Sequence, residues 1–187
     1  MNNYDYRVNL VDDYLKKLNL SNEIKKYYSG RNILVTGGAG AIGSNLVTTL
    51  SKLVGNDGMI IVLDNLSAIK GDEPIDLPPL SNMMFVNGDI RNDIDLKRVF
   101  REKPTIVYHL AAFFANQNSV DYPETSADVD IHGMIKLLDL AQFTGVDKFV
   151  YASSGCAIYG SYGEMPLKED FISLHLTTPY QVNKMAG

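Results

Sequence analysis

Two residues near the end of the sequence, Tyr180 and Lys184, have the types and the spacing of a proton-transfer pair. Positions i and i+4 of a helix project from one face, so the two side chains would lie together. A free tyrosine ionises at about pH 10, too high for a base at neutral pH, but an ammonium beside it favours the phenolate and lowers that pKa. The pair therefore predicts acid–base chemistry on an alcohol, provided that a complete site surrounds it.

A glycine-rich turn follows the first apolar run of the main part of the chain. Gly37, Gly40 and Gly43 have the spacing at which glycines permit a tight bend, let a pyrophosphate approach the backbone, and let a helix pack closely on a strand. The N–H groups at the start of the following helix, including those of Ala41 and Ile42, would hold the phosphates. The turn therefore predicts a dinucleotide-binding site.

An acidic residue ends the second apolar run. Asp64 lies 21 residues after Gly43, where a carboxylate can accept hydrogen bonds from the adenosine ribose hydroxyls. Its charge would repel a 2′-phosphate, and the first Lys or Arg to follow it is Lys70, so NAD is favoured over NADP. A mononucleotide P-loop is excluded, because Gly43 is followed by Ser44 and Asn45 instead of Lys and Ser or Thr.

Alternating apolar runs and helical patterns predict the elements that must position these residues. The predicted strands are 33–35, 59–63, 83–86, 106–109 and 148–152; the predicted helices are 41–54, 94–101, about 122–143, and one that opens at Pro179 with Thr178 as its cap. A loop with Pro74, Pro78 and Pro79 joins the second and third strands. Unbroken apolar strands separated by helices are typical of a parallel sheet covered on both faces. The predicted fold class is α/β, a doubly wound parallel sheet of the Rossmann type.

The first 30 residues differ from the rest. Apolar residues recur at helical spacing from Val11 to Leu18, and Ser21 can cap a second short helix that ends near Gly30. We interpret residues 1–30 as a helical extension that packs on the main domain, and residues 31–187 as the NAD-binding domain.

Composition limits the classes of protein that the chain could be. It has 187 residues with 17 Lys and Arg against 22 Asp and Glu, a net charge of −5, which argues against a nucleic-acid or anionic-membrane partner. One cysteine and three histidines without metal-ligand spacing predict neither a disulfide framework nor a metal site. The longest aliphatic run, 59–63, is too short to span a membrane, and the N-terminus is polar, so we expect a cytoplasmic protein.

Six sequence blocks in one order resemble the extended short-chain dehydrogenase/reductase family, in its group of nucleotide-sugar epimerases and dehydratases. The blocks are the glycine turn, D-N-L-S at 64–67, G-D-I-R-N at 88–92, H-L-A-A at 109–112, the strand-five block at 151–160, and Tyr180-x-x-x-Lys184. The resemblance covers residues 31–187. It implies cofactor contacts from Gly37, Gly40, Ala41, Ile42, Gly43, Asp64, Asn65, Asp89, Ile90, Leu110, Ala111, Ala112, Tyr180 and Lys184.

The resemblance also implies the catalytic roles. Tyr180 would take a proton from a sugar hydroxyl while a hydride passes to NAD, and Lys184 would hold the nicotinamide ribose. In the family, a Ser or Thr four residues before the tyrosine of the strand-five Tyr-Gly assists. That count from Tyr159 leads to Gly155, which has no hydroxyl, so the neighbouring Ser154 is the predicted third partner.

The sequence departs from the family pattern at two places, and the first of them reduces the number of possible reactions. Cys156 and Ala157 stand where the dehydratases carry Asp and Glu, which argues against a 4,6-dehydratase, and Cys156 has no evident base partner. Asp130 stands three residues before Gly133, where the family usually has Asn; an ionised acid there can accept but not donate a hydrogen bond. The D-N-L-S and G-D-I-R-N blocks look most like the branch of UDP-galactose 4-epimerases.

These features predict an NAD-dependent epimerase acting on a UDP- or other nucleoside-diphosphate hexose. One alternative is a reductase or dehydrogenase of the same family that releases NADH in each cycle. Another is a non-catalytic NAD-binding or partner-binding piece, because the sequence ends three residues after Lys184. The resemblance implies that a substrate-binding C-terminal lobe follows that helix, so we expect the cofactor half of a larger enzyme. It further implies a homodimer formed through the helix at about 122–143 and the Tyr180 helix.

Overall fold

A computed structural model of the chain describes residues 3–69, 75, 77–114, 116–160, 165–173 and 175–187. Lys70 and Pro74, which were named above, lie outside these ranges.

The strands of the described chain form one parallel sheet in the order β3-β2-β1-β4-β5. Their bounds are β1 Asn32–Thr36, β2 Met59–Asp64, β3 Met83–Asn87, β4 Ile106–His109 and β5 Lys148–Tyr151. Each agrees with its predicted range to within one residue at either end, and the doubly wound α/β fold is confirmed. The strand order reverses between β1 and β4, and the carboxyl ends of the strands at such a reversal are where sheets of this kind bind ligands.

Helices cover both faces of the sheet. Their bounds are α1 Asn3–Leu18, α2 Asn22–Tyr28, α3 Ala41–Val54, α4 Asp93–Phe100, α5 Asn116–Asp121, α6 Pro123–Ala127, α7 Met134–Thr144, α8 Gly155–Ile158 and α9 Pro179–Ala186. Residues alternate between two cores along β1: Ile33 and Val35 pack with α3, and Leu34 packs with α4 and α7. The run of apolar residues at the centre of β1 follows from this burial on both faces.

The helix predicted over 122–143 is interrupted. It consists of α6, a π-helical segment over Asp128–Gly133, and α7, and the separate helix α5 precedes it. A π turn adds a residue to a helical turn without changing the apolar character of the sequence, so periodicity does not reveal it. Asp130 lies within the π segment and is only 2% exposed.

The N-terminal helices pack against α3, and α2 also contacts β4 of the sheet. Val11 of α1 is buried, and Asp12 pairs with Lys52 of α3 at 3.1 Å. The hydroxyl groups of Tyr28 and Tyr108 lie 2.7 Å apart and share a hydrogen bond. The division of the chain at residue 30 stays a prediction. Among the described helices, none is long and apolar enough to cross a bilayer.

Candidate active site

Two glycines of the turn after β1 are required by backbone packing. Gly37 has φ +69°, and a Cβ there would lie 2.6 Å from the backbone nitrogen of Ala111. A Cβ on Gly43 would overlap the carbonyl oxygen of Gly37 and lie 2.7 Å from Gly38 Cα. The turn is therefore pressed between the loop after β4 and the first turn of α3.

The remaining glycine of the predicted phosphate-binding pattern, Gly40, has space beside it for a Cβ. The nearest atom to a Cβ built on Gly40 would be the Gly37 carbonyl oxygen at 3.4 Å, and no side chain caps α3 at Gly40. The first N–H groups of a helix, here those of Ala41 and Ile42, have no acceptor within the helix. An open backbone cradle at the positive end of α3 fits the pyrophosphate of a dinucleotide.

The acidic residues predicted for the adenosine end lie at one edge of this turn. Asp64 accepts hydrogen bonds from the N–H groups of Ala39 at 2.9 Å and Leu66 at 2.8 Å. The amide of Asn65 donates to the carboxylate of Asp89 at 2.9 Å. The Asp64 carboxylate is thus fixed beside the glycine turn by the backbone on both sides.

Asp89 is held ionised by its neighbour. The Arg91 guanidinium donates to both of its carboxylate oxygens, at 2.9 and 3.0 Å, and lowers the pKa of Asp89 to about 2. Ile90, in contrast, is buried in the core and packs against Gly133. Its side chain therefore belongs to the core, and only its backbone is available to a cofactor.

The loop after β4 is bound to the glycine turn. The N–H groups of Leu110 and Ala111 donate to the carbonyl and hydroxyl oxygens of Thr36, at 3.1 and 3.3 Å. His109 is buried with its Nδ1 2.7 Å from the Thr36 hydroxyl, and burial lowers the pKa of His109 to about 3. A neutral His109 therefore links β1 to the start of this loop at physiological pH.

Helix α9 carries the two residues of the predicted proton-transfer pair on one buried face. Thr178 caps it through a capping box with Gln181, which confirms the predicted cap. Tyr180 and Lys184 are 9% and 3% exposed. The Lys184 ammonium donates to the carbonyl oxygen of Ala152 at 3.0 Å, just beyond β5, and lies 5.9 Å from the centre of the Tyr180 ring.

The ionisation of Tyr180 differs from the expectation. Burial raises the pKa of Tyr180 above its ordinary value, the charge of Asp130 raises it further, and a hydrogen bond with Ser154 acts in the opposite direction. Burial lowers the pKa of Lys184, and the charge of Asp130 opposes that effect. A lowered pKa was expected for Tyr180 beside both Lys184 and the positive nicotinamide ring of bound NAD. In the chain by itself the pKa is raised, because the spacing of the pair fixes a shared face and not the cost of desolvation.

Ser154 directly precedes α8, and its hydroxyl lies 3.1 Å from the thiol of Cys156. Of the predicted third partner, the structure further shows that Ser154 acts to lower the pKa of Tyr180. Gly155, at the position that the family pattern indicates, begins α8 and has no side chain to offer. Cys156 is partly buried.

Several supporting residues were missed by the sequence analysis. The hydroxyl of Ser119 accepts a hydrogen bond from the N–H of Tyr180 at 3.0 Å. The ring of Tyr151 stacks on His109 at 5.7 Å and lies 4.7 Å below the Lys184 ammonium. Ser119 lies in α5, which no periodic pattern predicted, and only the position of Tyr151 at the end of β5 could have indicated it. Among the described residues, no three acidic, histidine or cysteine side chains converge as metal ligands.

Comparison with known sequences identifies relatives for most of the chain. The sequence model of the NAD dependent epimerase/dehydratase family matches residues 33–187. A putative UDP-glucose 4-epimerase of Methanocaldococcus jannaschii is 38% identical over 156 residues, which are 83% of this chain and 48% of the relative. The UDP-glucose 4-epimerase of Mycolicibacterium smegmatis is 36% identical over 155 residues, 82% of this chain and 48% of the relative. The chain spans about half the length of the curated relatives that it matches.

Solved structures give the same result. An epimerase from Methanothermobacter thermautotrophicus superposes with a TM-score of 0.79 at 49% identity, over 87% of this chain and 47% of the other. The UDP-glucose 4-epimerase of Thermotoga maritima, solved with UDP-glucose, has a TM-score of 0.71 at 38% identity, over 83% of this chain and 48% of the other. The Thermus thermophilus UDP-glucose 4-epimerase, solved with NAD, has a TM-score of 0.67 at 36% identity, over 83% of this chain and 48% of the other.

Proposed function

Because the chain belongs to the NAD dependent epimerase/dehydratase family, we propose that it binds NAD in the crevice between β1 and β4 and serves the 4-epimerisation of a nucleotide sugar. The observation that carries this proposal is the buried face of α9, where Tyr180 and Lys184 lie beside the carboxyl end of β5. Ala152, which accepts from Lys184, donates its own N–H to His109 at 3.1 Å. His109 contacts Thr36, the residue before the glycine turn. Hydrogen bonds thus connect the proposed catalytic pair to the proposed phosphate cradle.

The proposed cofactor contacts follow the edge of the sheet. The glycine turn, with the N–H groups at the start of α3, receives the pyrophosphate. Asp64 and Asn65 take the adenosine ribose, Asp89 and the Ile90 backbone border the adenine, and the 110–112 loop passes along the cofactor. When bound, NAD supplies a hydride acceptor and a positive ring.

The proposed chemistry belongs to three side chains. The Tyr180 oxygen removes the proton from the sugar hydroxyl, and Ser154 hydrogen-bonds the same oxygen of the substrate. Lys184 holds the cofactor ribose, and its charge together with the positive ring offsets the burial that raises the pKa of Tyr180. Loss of that proton would let the sugar carbon give its hydride to bound NAD and take it back on the other face of the keto sugar, so the cofactor would show no net change.

The proposed substrate is a UDP-hexose or another nucleoside-diphosphate hexose. UDP-glucose is bound in the Thermotoga maritima structure, and a UDP-N-acetylglucosamine 4-epimerase of Methanobrevibacter ruminantium is 31% identical to this chain. We further propose a homodimer through the helix over 123–144 and α9. Its support is the exposed apolar side chains on these elements, Ile135, Leu138 and Val182.

An assay of the protein that carries this chain, with UDP-glucose and NAD, tests the proposed function. We expect UDP-galactose to accumulate while absorbance at about 340 nm, where NADH absorbs, stays constant. Net formation of NADH would instead identify a dehydrogenase or reductase. The half-length match to the relatives favours a second candidate, an NAD-binding piece without turnover. NAD binding with neither product would identify that piece and contradict the epimerase.

A further inference from the structure

Phe114 is an exposed aromatic residue beside the proposed catalytic tyrosine, and the proposed mechanism gives it no role. Its side chain is 75% exposed, whereas Tyr180 is buried. The two rings meet edge to face, with their centres 6.4 Å apart and an angle of 85° between their planes. Since removal of apolar surface from water is favourable, a ligand that covers the Phe114 ring gains affinity from it.

The backbone holds Phe114 in this place. Its carbonyl oxygen accepts a hydrogen bond from the side-chain amide of Asn118 in α5, at 2.7 Å. The same helix is attached to α9, because the hydroxyl of Ser119 accepts from the N–H of Tyr180 at 3.0 Å. The segment that carries Phe114 and the helix that carries Tyr180 are thus joined through α5, and the exposed ring is part of the site before any ligand arrives.

Two neighbours of the Tyr180 ring show which side of it a substrate can reach. The Lys184 ammonium, 5.9 Å from the ring centre, is buried and bonded to the Ala152 carbonyl oxygen beyond β5. The Phe114 ring, in contrast, is open to solvent. Because the proposed function assigns Lys184 to the cofactor ribose, the buried side of Tyr180 remains for the cofactor and the Phe114 side for the sugar.

A sugar that reacts at Tyr180 necessarily comes close to Phe114. Proton transfer requires the sugar hydroxyl to lie within about 2.6–3.2 Å of the Tyr180 oxygen. The rest of the hexose ring extends several atoms beyond that hydroxyl and reaches the neighbouring aromatic ring. The C–H bonds on one face of a hexose form an apolar surface, and aromatic side chains commonly line the pockets that bury such surfaces.

We propose that Phe114 is a substrate-contacting residue, whose ring packs against the apolar C–H face of the hexose and so favours a nucleoside-diphosphate hexose over the nucleoside diphosphate alone. This rests on the proposed function, since Tyr180 determines where the sugar lies. The ring supplies neither a proton nor a charge. It contributes affinity for the sugar and limits the direction from which the sugar approaches Tyr180.

The Phe114→Ala variant of the protein that carries this chain tests the contact, with NAD bound and calorimetry as the measurement. We expect the dissociation constant of UDP-glucose to rise by about tenfold and that of UDP to stay within about twofold, because the ring contacts only the sugar. Phe114→Tyr keeps a ring at this position and should restore most of the lost affinity. An unaltered affinity for UDP-glucose in Phe114→Ala, or an equal loss for UDP and UDP-glucose, would overturn the proposal.

The matched control is Phe143→Ala. Phe143 is also exposed, but it lies near the end of α7 and thus towards the start of β5, whereas Phe114 follows the end of β4. The two phenylalanines are therefore at opposite edges of the parallel sheet. Phe143→Ala should change neither dissociation constant, and a loss equal to that in Phe114→Ala would show that the effect does not arise from contact with the sugar.

Fluorine NMR on protein labelled with 4-fluorophenylalanine observes the contact directly. The signal that disappears in Phe114→Leu belongs to Phe114. We expect that signal to shift in a saturable way when UDP-glucose is added to the NAD-bound protein, and to stay in place when UDP is added. An unchanged signal with UDP-glucose, or the same shift with UDP, would overturn the contact. A shift without turnover would contradict the proposed epimerase alone, because this measurement does not depend on the reaction.

Discussion

Replacement of Tyr180 by phenylalanine is expected to reduce turnover of the nucleotide sugar by about 10²–10⁴-fold and to leave the affinity for NAD within about twofold of its original value. The substitution removes the proposed base and keeps the ring, which contacts Phe114 edge to face at 6.4 Å and lies under the Lys184 ammonium. Product formation from UDP-glucose and calorimetric titration with NAD measure the two effects separately.

The control for this prediction is Tyr122→Phe. Tyr122 is an exposed tyrosine at the start of α6, outside the buried cluster, so loss of its hydroxyl should alter neither quantity. Activity in Tyr180→Phe equal to that of the unaltered chain would rule out Tyr180 as the base. Loss of NAD affinity together with turnover would show that the hydroxyl supports the cofactor site instead of the proton transfer.

Two alanine substitutions in the glycine turn are both expected to weaken NAD binding, but only one of them is expected to lower the stability of the fold. In Gly43→Ala the new Cβ overlaps the backbone of Gly37 and Gly38, which has no room to move, so we expect a loss of about 1–3 kcal/mol in the free energy of unfolding and loss of NAD binding. In Gly40→Ala the Cβ meets only the Gly37 carbonyl oxygen at 3.4 Å, at an ordinary φ of −75°. Its stability should stay within about 0.5 kcal/mol of the original.

The decisive quantity for Gly40→Ala is the affinity for NAD. The methyl group would project into the cradle proposed for the pyrophosphate, so we expect the dissociation constant to rise by about tenfold or more, which corresponds to about 1.4 kcal/mol. Denaturant unfolding and calorimetry on both variants provide the measurements. An unaltered NAD affinity in a stable Gly40→Ala variant would show that the pyrophosphate does not approach this turn.

Much of the framework could be predicted from local sequence. The central residues of β1 and β2 are apolar because they are buried on both faces, and the glycine turn and the Thr178 cap each depend on residues within a few positions of one another. The π segment and α8 could not be predicted. Asp130 of the π segment bonds to Phe113, 17 residues away, so its inward position depends on a contact between elements.

The candidate site, too, could be predicted from local sequence only in part. The spacing of Tyr180 and Lys184 correctly predicts one helix face, but the direction of the Tyr180 pKa depends on burial and on Asp130, which lie outside the local sequence. Ile90 was selected by resemblance of its block, yet its side chain fills the core beneath Gly133. Sequence patterns thus indicate which residues lie at the same edge of the sheet. Packing decides which of their atoms a cofactor could contact.

Titration of the chain with NAD and with NADP tests the central claim most directly, because the claim is a dinucleotide site in which Asp64 lies beside the glycine turn. We expect saturable binding of one NAD per chain and binding of NADP that is weaker by about tenfold or more, since a 2′-phosphate would approach the Asp64 carboxylate. Absence of saturable binding by either dinucleotide, or NADP binding as tight as that of NAD, would contradict it.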